Sequence, residues 1–188
     1  MNAIPMFDRF FRKSRNRPLI DALHGEIVAA SRQKVFFTDY AVPDNFEGRF
    51  EVVSLNAGLL LRRLQTYEEP GPQIAQDLVD RLFQGFDAAL RESGVGDLAV
   101  SRKMNALAEA FLGRNQAYAA AILDEAPDAL AAALARNIVA TPPAPQRLAA
   151  YVRAAVAGLK ALQLEEIMKG ARMFPDASTW ASLTEVRP

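Results

Sequence analysis

Residues 46–64 constrain the fold of this chain more than any other stretch. Phe46, Phe50, Val53, Ala57, Leu60 and Leu64 recur at steps of four and three, which places them on one side of an α-helix. Leu55, Leu59 and Leu61 carry the apolar surface around the cylinder, and from Phe50 to Leu61 the only polar residues are Glu51, Ser54 and Asn56. A helix that is apolar nearly all round must be enclosed by other elements. The spacing therefore predicts a bundle with this helix, from about Asp44 to Gln65, at its centre.

The neighbouring segments supply the enclosing helices. Pro18 is suited to opening a first helix, expected to run to Phe37 with Ile20, Leu23, Ile27 and Val35 inward. After the break Glu68–Pro72, a third helix carries Ile74, Leu78, Leu82, Phe86 and Leu90 at steps of four. Asp97 is placed as the N-cap of a fourth, whose inner side holds Val100, Met104, Leu107, Phe111, Tyr118 and Ile122. Gly113 interrupts that stripe at a cost of about 1 kcal/mol against alanine, which a close helix crossing would offset. Pro127 opens an alanine-rich fifth helix, and a proline-rich linker at 141–145 leads to a sixth. The expected fold class is all-α: a compact bundle of about six main helices plus a short C-terminal helical turn at Leu164–Lys169. The expected organisation is a basic and aromatic segment at 1–17, a helical domain at 18–175 and an irregular tail at 176–188.

Charge and cysteine usage exclude several functions. The chain has 22 basic and 22 acidic residues and no cysteine. Net neutrality argues against sequence-specific or wholesale nucleic-acid binding. Without cysteine there can be no disulfide, thiolate metal site or cysteine nucleophile. The longest apolar runs, Ala117–Leu123 and Ala129–Ala135, fall far below the roughly 18–20 residues that span a bilayer. No signal peptide is evident, so a bacterial cytoplasmic protein is expected. Within the neutral total, residues 1–17 hold five basic groups against one acid, leaving 17 and 21 for the remainder. Phe7, Phe10 and Phe11 share one side of a short helix, interleaved with Arg9, Arg12, Lys13, Arg15 and Arg17. That combination suits a partner or a peripheral contact with the inner-membrane surface. The same phenylalanines could instead pack on the domain.

Catalytic and metal-binding groups are scarce. His24 is the single histidine, one turn from Asp21, a spacing read as a helix-surface ion pair. One histidine cannot build a di-iron bundle site. Gly94-Val95-Gly96 follows a helix, not a strand, and so does not form a dinucleotide loop. No catalytic residue, metal site or cofactor is expected. Asn56 needs partners inside the most apolar helix. Arg114-Asn115 and Arg136-Asn137 are two further polar pairs within apolar helices, suited either to a buried polar network or to the rim of a groove.

Several blocks in order resemble the ubiquinol–cytochrome c chaperone family. They are Val42-Pro43-Asp44-Asn45-Phe46-Glu47-Gly48-Arg49-Phe50-Glu51 with Leu59–Leu64, Ala108–Arg114 with Ala117-Tyr118, Ala129–Asn137, Tyr151-Val152-Arg153, and Gly170 with Phe174-Pro175. The resemblance implies a non-enzymatic chaperone that binds newly made cytochrome b, or another subunit precursor, during assembly of the cytochrome bc complex. Mitochondrial members act at the ribosome and inner membrane with a small partner protein. The family pattern implies a histidine in the second helix where this chain has Asn56. A ribosome- or RNA-binding adaptor using residues 9–17, and a helical enzyme with an unrecognised site, remain the alternatives from other classes.

Overall fold

A computed structural model of the chain describes residues 16–139 and 143–181. Nine helices occur among the described residues: α1 (Arg17–Ser31), α2 (Val35–Thr38), α3 (Phe46–Leu64), α4 (Gly71–Glu92), α5 (Asp97–Leu123), α6 (Ala129–Asn137), α7 (Ala144–Ala161), α8 (Leu164–Met168) and α9 (Ser178–Ala181). No strand occurs among the described residues. The fold is the expected all-α bundle of six main helices.

α3 sits at its centre and packs on α1, α4, α5 and α7, while α6 bridges α5 and α7. Phe50, Leu55, Ala57, Leu60 and Leu64 are each no more than 5% exposed. Fully burying a side chain of this kind stabilises by roughly 1.5–3 kcal/mol, so this one helix anchors much of the core. Asn45 caps it, its Oδ1 accepting from the Gly48 N–H at 2.8 Å. Pro43 runs so close behind the first turn that a Cβ on Gly48 would lie 1.9 Å from the Pro43 carbonyl oxygen. The block Val42–Gly48 is thus a tightly fitted helix start.

Four local expectations are corrected. The first helix does not run unbroken to Phe37: it ends at Ser31, and a separate turn, α2, follows. Gln33 in the break clamps the C-terminal stretch, donating to the Pro175 carbonyl at 3.4 Å and accepting from the Ala177 N–H at 2.8 Å. This contact, with Tyr40 donating to the Ala177 carbonyl at 2.8 Å, explains why part of the stretch expected to be irregular forms α9 and packs on α7. Asp97 is the first residue of α5 rather than its cap, and it pairs with Arg91 across the connection.

The fourth correction concerns Gly113. It does not interrupt α5, and a Cβ there would meet nothing within 4 Å. The close crossing of α3 and α5 lies at Gly58 instead, where a Cβ would lie 1.6 Å from Asn115 Oδ1. Gly113→Ala is therefore expected to raise stability by about 0.5–1 kcal/mol, since alanine loses less backbone entropy. A urea titration of the variant checks this, and a destabilised protein would show an unseen requirement for glycine at that position.

Candidate functional site

A concavity of about 960 Å³ lies between α1 and α4 and is floored by the first half of α3. α1 and α4 run side by side in the same direction. Asp21 accepts from Arg81 at 2.7 Å, and three residues on, His24 Nε2 would lie 3.2 Å from a Cβ on Gly85. Gly85 therefore lets the two walls approach closely beside the histidine. Val28, Phe37, Phe46, Phe50, Val53 and Phe86 line the groove. Phe50 and Phe86 are buried and meet edge to face at 5.1 Å, while Phe37, Phe46 and Val53 are half-buried and pack against the core. Apolar side chains, partly or fully buried, thus line an open trough. The block Asp44–Phe50 contributes to it as well as to the helix start.

Charged groups stand on its lips. Arg49 and Asp44 pair at 2.8 Å, and Arg32 and Lys34 are exposed on the α1–α2 side. Glu92 lies on the α4 side. His24 is half-buried, and burial pushes its imidazole below the ordinary value, with Arg81 adding to the effect. The ion pair expected between Asp21 and His24 does not form, because Asp21 takes Arg81 instead. No group of three or more metal-ligating side chains occurs among the described residues.

Of the polar residues singled out in the sequence, Asn56 lies apart, whereas Arg114, Arg136 and Asn137 all act on the buried Tyr118 hydroxyl. Asn56 is fully buried, with side chains as partners: it donates to Ser31 Oγ at 3.0 Å and accepts from Tyr151 Oη at 2.9 Å. Ser31 in turn donates to the Ile27 carbonyl at 2.7 Å. This chain of bonds ties α1, α3 and α7 together. Burial pushes the Tyr151 hydroxyl well above its ordinary value, so it remains a donor at any physiological pH. Arg114 forks onto Glu51 of α3, with contacts from 2.8 to 3.1 Å. Asn115 bonds the Phe111 carbonyl and lines a smaller cleft of about 290 Å³ between α3 and α5. Asn137 bonds the Ala133 carbonyl, and Arg136 is exposed. Phe7, Arg9, Phe10, Phe11, Arg12, Lys13 and Arg15 lie outside the described residues; Arg17 opens α1 and lies 3.8 Å from Asp21.

The large groove was not singled out from the sequence. Its phenylalanines and valines have the same spacing as core residues, and the only hint was the surplus of apolar residues around α3.

Among the described residues no helix is long and apolar enough to cross a membrane. Residues 38–174 match the family described as ubiquinol–cytochrome C chaperone. None of the curated proteins matches the chain in sequence. The crystal structure of the Cbp3 homolog from Brucella abortus is similar over 92% of this chain and 98% of that one, with 36% sequence identity and a TM-score of 0.80. The matched region contains α3 to α8 entire, and with them the floor and one wall of the groove. This chain belongs to the ubiquinol–cytochrome c chaperone family.

Proposed function

We propose that the chain is a non-enzymatic assembly chaperone for the cytochrome bc complex and that it holds newly made cytochrome b by one apolar helix laid in the groove between α1 and α4. The observation that carries this reading is the trough itself: about 960 Å³, with half-buried Phe37, Phe46 and Val53 in its lining. A precursor whose apolar helices have not found their neighbours needs such a cover, and a helix-in-groove contact provides it. Binding the immature form also reduces the population free to aggregate. Family membership supports the assembly role.

The test is capture of cytochrome b from detergent-solubilised membranes by the intact chaperone and by Phe46→Asp. Phe46 is half-buried, so circular dichroism must first show that Phe46→Asp is folded; its carboxylate then disfavours an apolar occupant. The expected result is loss of most captured cytochrome b by Phe46→Asp, and loss of assembled bc complex when the gene is deleted. Normal assembly without the gene would overturn the role, and undiminished capture by a folded Phe46→Asp protein would overturn the site.

We also propose that residues 1–17 keep the chaperone at the inner-membrane surface. The support is their +4 local charge together with Phe7, Phe10 and Phe11. Each basic group near anionic lipid contributes about 1 kcal/mol. Removing residues 1–13 is expected to lower binding to anionic vesicles and to leave the melting temperature unchanged. A fall in melting temperature with vesicle binding intact would show that the phenylalanines serve the domain instead.

A further inference from the structure

The two lips of the groove differ in charge. Arg32 closes α1 and Lys34 precedes α2, so both stand on the α1–α2 lip, and both are exposed. Neither has an ion-pair partner among the described residues. Arg49, which also lines the groove, is already neutralised by Asp44. The acidic residue Glu92 belongs to the opposite lip, where α4 ends. His24 lies about 12 Å from Arg32 along α1, at 1.5 Å per residue, so the apolar trough extends over two to three turns of a bound helix.

We propose that the groove selects a helix of two to three turns that is apolar along one side and bears carboxylates at the edge facing Arg32 and Lys34. This rests on the reading of the groove as a binding site and adds the chemistry that recognises the occupant. An apolar trough alone would take any hydrophobic helix in either orientation. Two unpaired cations on one lip discriminate between orientations, because a carboxylate placed against them gains a partner while a cation there is repelled. The same carboxylate placed against Glu92 would be repelled, so the occupant's polarity is fixed across the groove.

The probes are labelled helical peptides with one apolar stripe, carrying two glutamates beside the stripe at either end, and matched peptides with lysines at those positions. Their affinities are measured for the full-length protein, for Arg32→Glu/Lys34→Glu, and for Phe46→Asp. One glutamate placement is expected to bind about fivefold more tightly than its lysine counterpart at low salt, as two exposed ion pairs allow. Charge reversal at residues 32 and 34 should invert that preference, and about 0.5 M salt should abolish it. Phe46→Asp should weaken every peptide alike. Equal binding of glutamate and lysine peptides, or a preference that survives the charge reversal, overturns the selection while leaving the groove as a site. Absence of binding by all peptides, or binding that folded Phe46→Asp leaves unchanged, overturns both.

Discussion

Gly48→Ala is expected to lose about 3 kcal/mol of stability, because an added methyl cannot be accommodated without moving backbone. For a chain of this length that is a fall in melting temperature of roughly 6–12 °C. The contact at stake is the 1.9 Å that would separate the new Cβ from the Pro43 carbonyl oxygen. A flexible side chain could swing away from such an approach, but a carbonyl held in the chain cannot. Val42 Cγ1, at 3.1 Å, blocks the other direction. The variant should also disturb the cap, since the Gly48 N–H is the donor to Asn45. Thermal denaturation of the two proteins decides it, and a change under 1 kcal/mol would show that the Pro43 turn yields easily. The contrast with Gly113→Ala is the informative part: the same chemical change in two helices has opposite expected signs, because one glycine is walled in and the other faces open space.

Breaking the buried chain of bonds through Asn56 should be nearly as damaging. Asn56→Leu keeps the volume but leaves the Tyr151 hydroxyl without its acceptor inside the core, at a cost of about 2–3 kcal/mol. Tyr151→Phe strands the Asn56 carbonyl oxygen and should cost about 1–3 kcal/mol. The double variant removes both ends of the bond, so its loss should be smaller than the sum of the single losses by about 1–2 kcal/mol. Urea unfolding of all four proteins measures that coupling. Strict additivity would mean that the two side chains do not depend on each other. The histidine implied by family resemblance falls at this buried place in the fold, where a side chain joins three helices and does not reach the groove.

The helical periodicity of residues 46–64 made the central helix legible because enclosure on every side leaves a repeating signature in the sequence. Asn56 was legible as a residue that must be satisfied, whereas Ser31 and Tyr151 were not, standing 25 and 95 residues away. The break after Ser31 left no local signal. Arg32-Gln33-Lys34 suits a helix, and the chain turns there because Gln33 is committed to the distant Pro175–Ala177 stretch. Gly58 and Gly113 look equivalent along the sequence; only the position of Asn115 separates the one at the crossing from the one in the open. The groove stayed hidden for a related reason. Phe46 continues the inward stripe of α3, and the stripe does not reveal that the space in front of its first turns is left unfilled.

The position of α3 in the chain has a consequence for the synthesis of the protein. It is the second of the six long helices to leave the ribosome, yet α5 and α7, which cover its far sides, end at residues 123 and 161. At roughly 5–20 residues per second, the hundred or so residues between Leu64 and Ala161 take on the order of 5–20 s to appear. Throughout that interval the helix with the most buried residues among those described is without part of its cover, close to the ribosome and to other emerging hydrophobic segments. The helix that, in the proposed function, floors a shelter for unfinished subunits is, for those seconds, itself a segment in need of one.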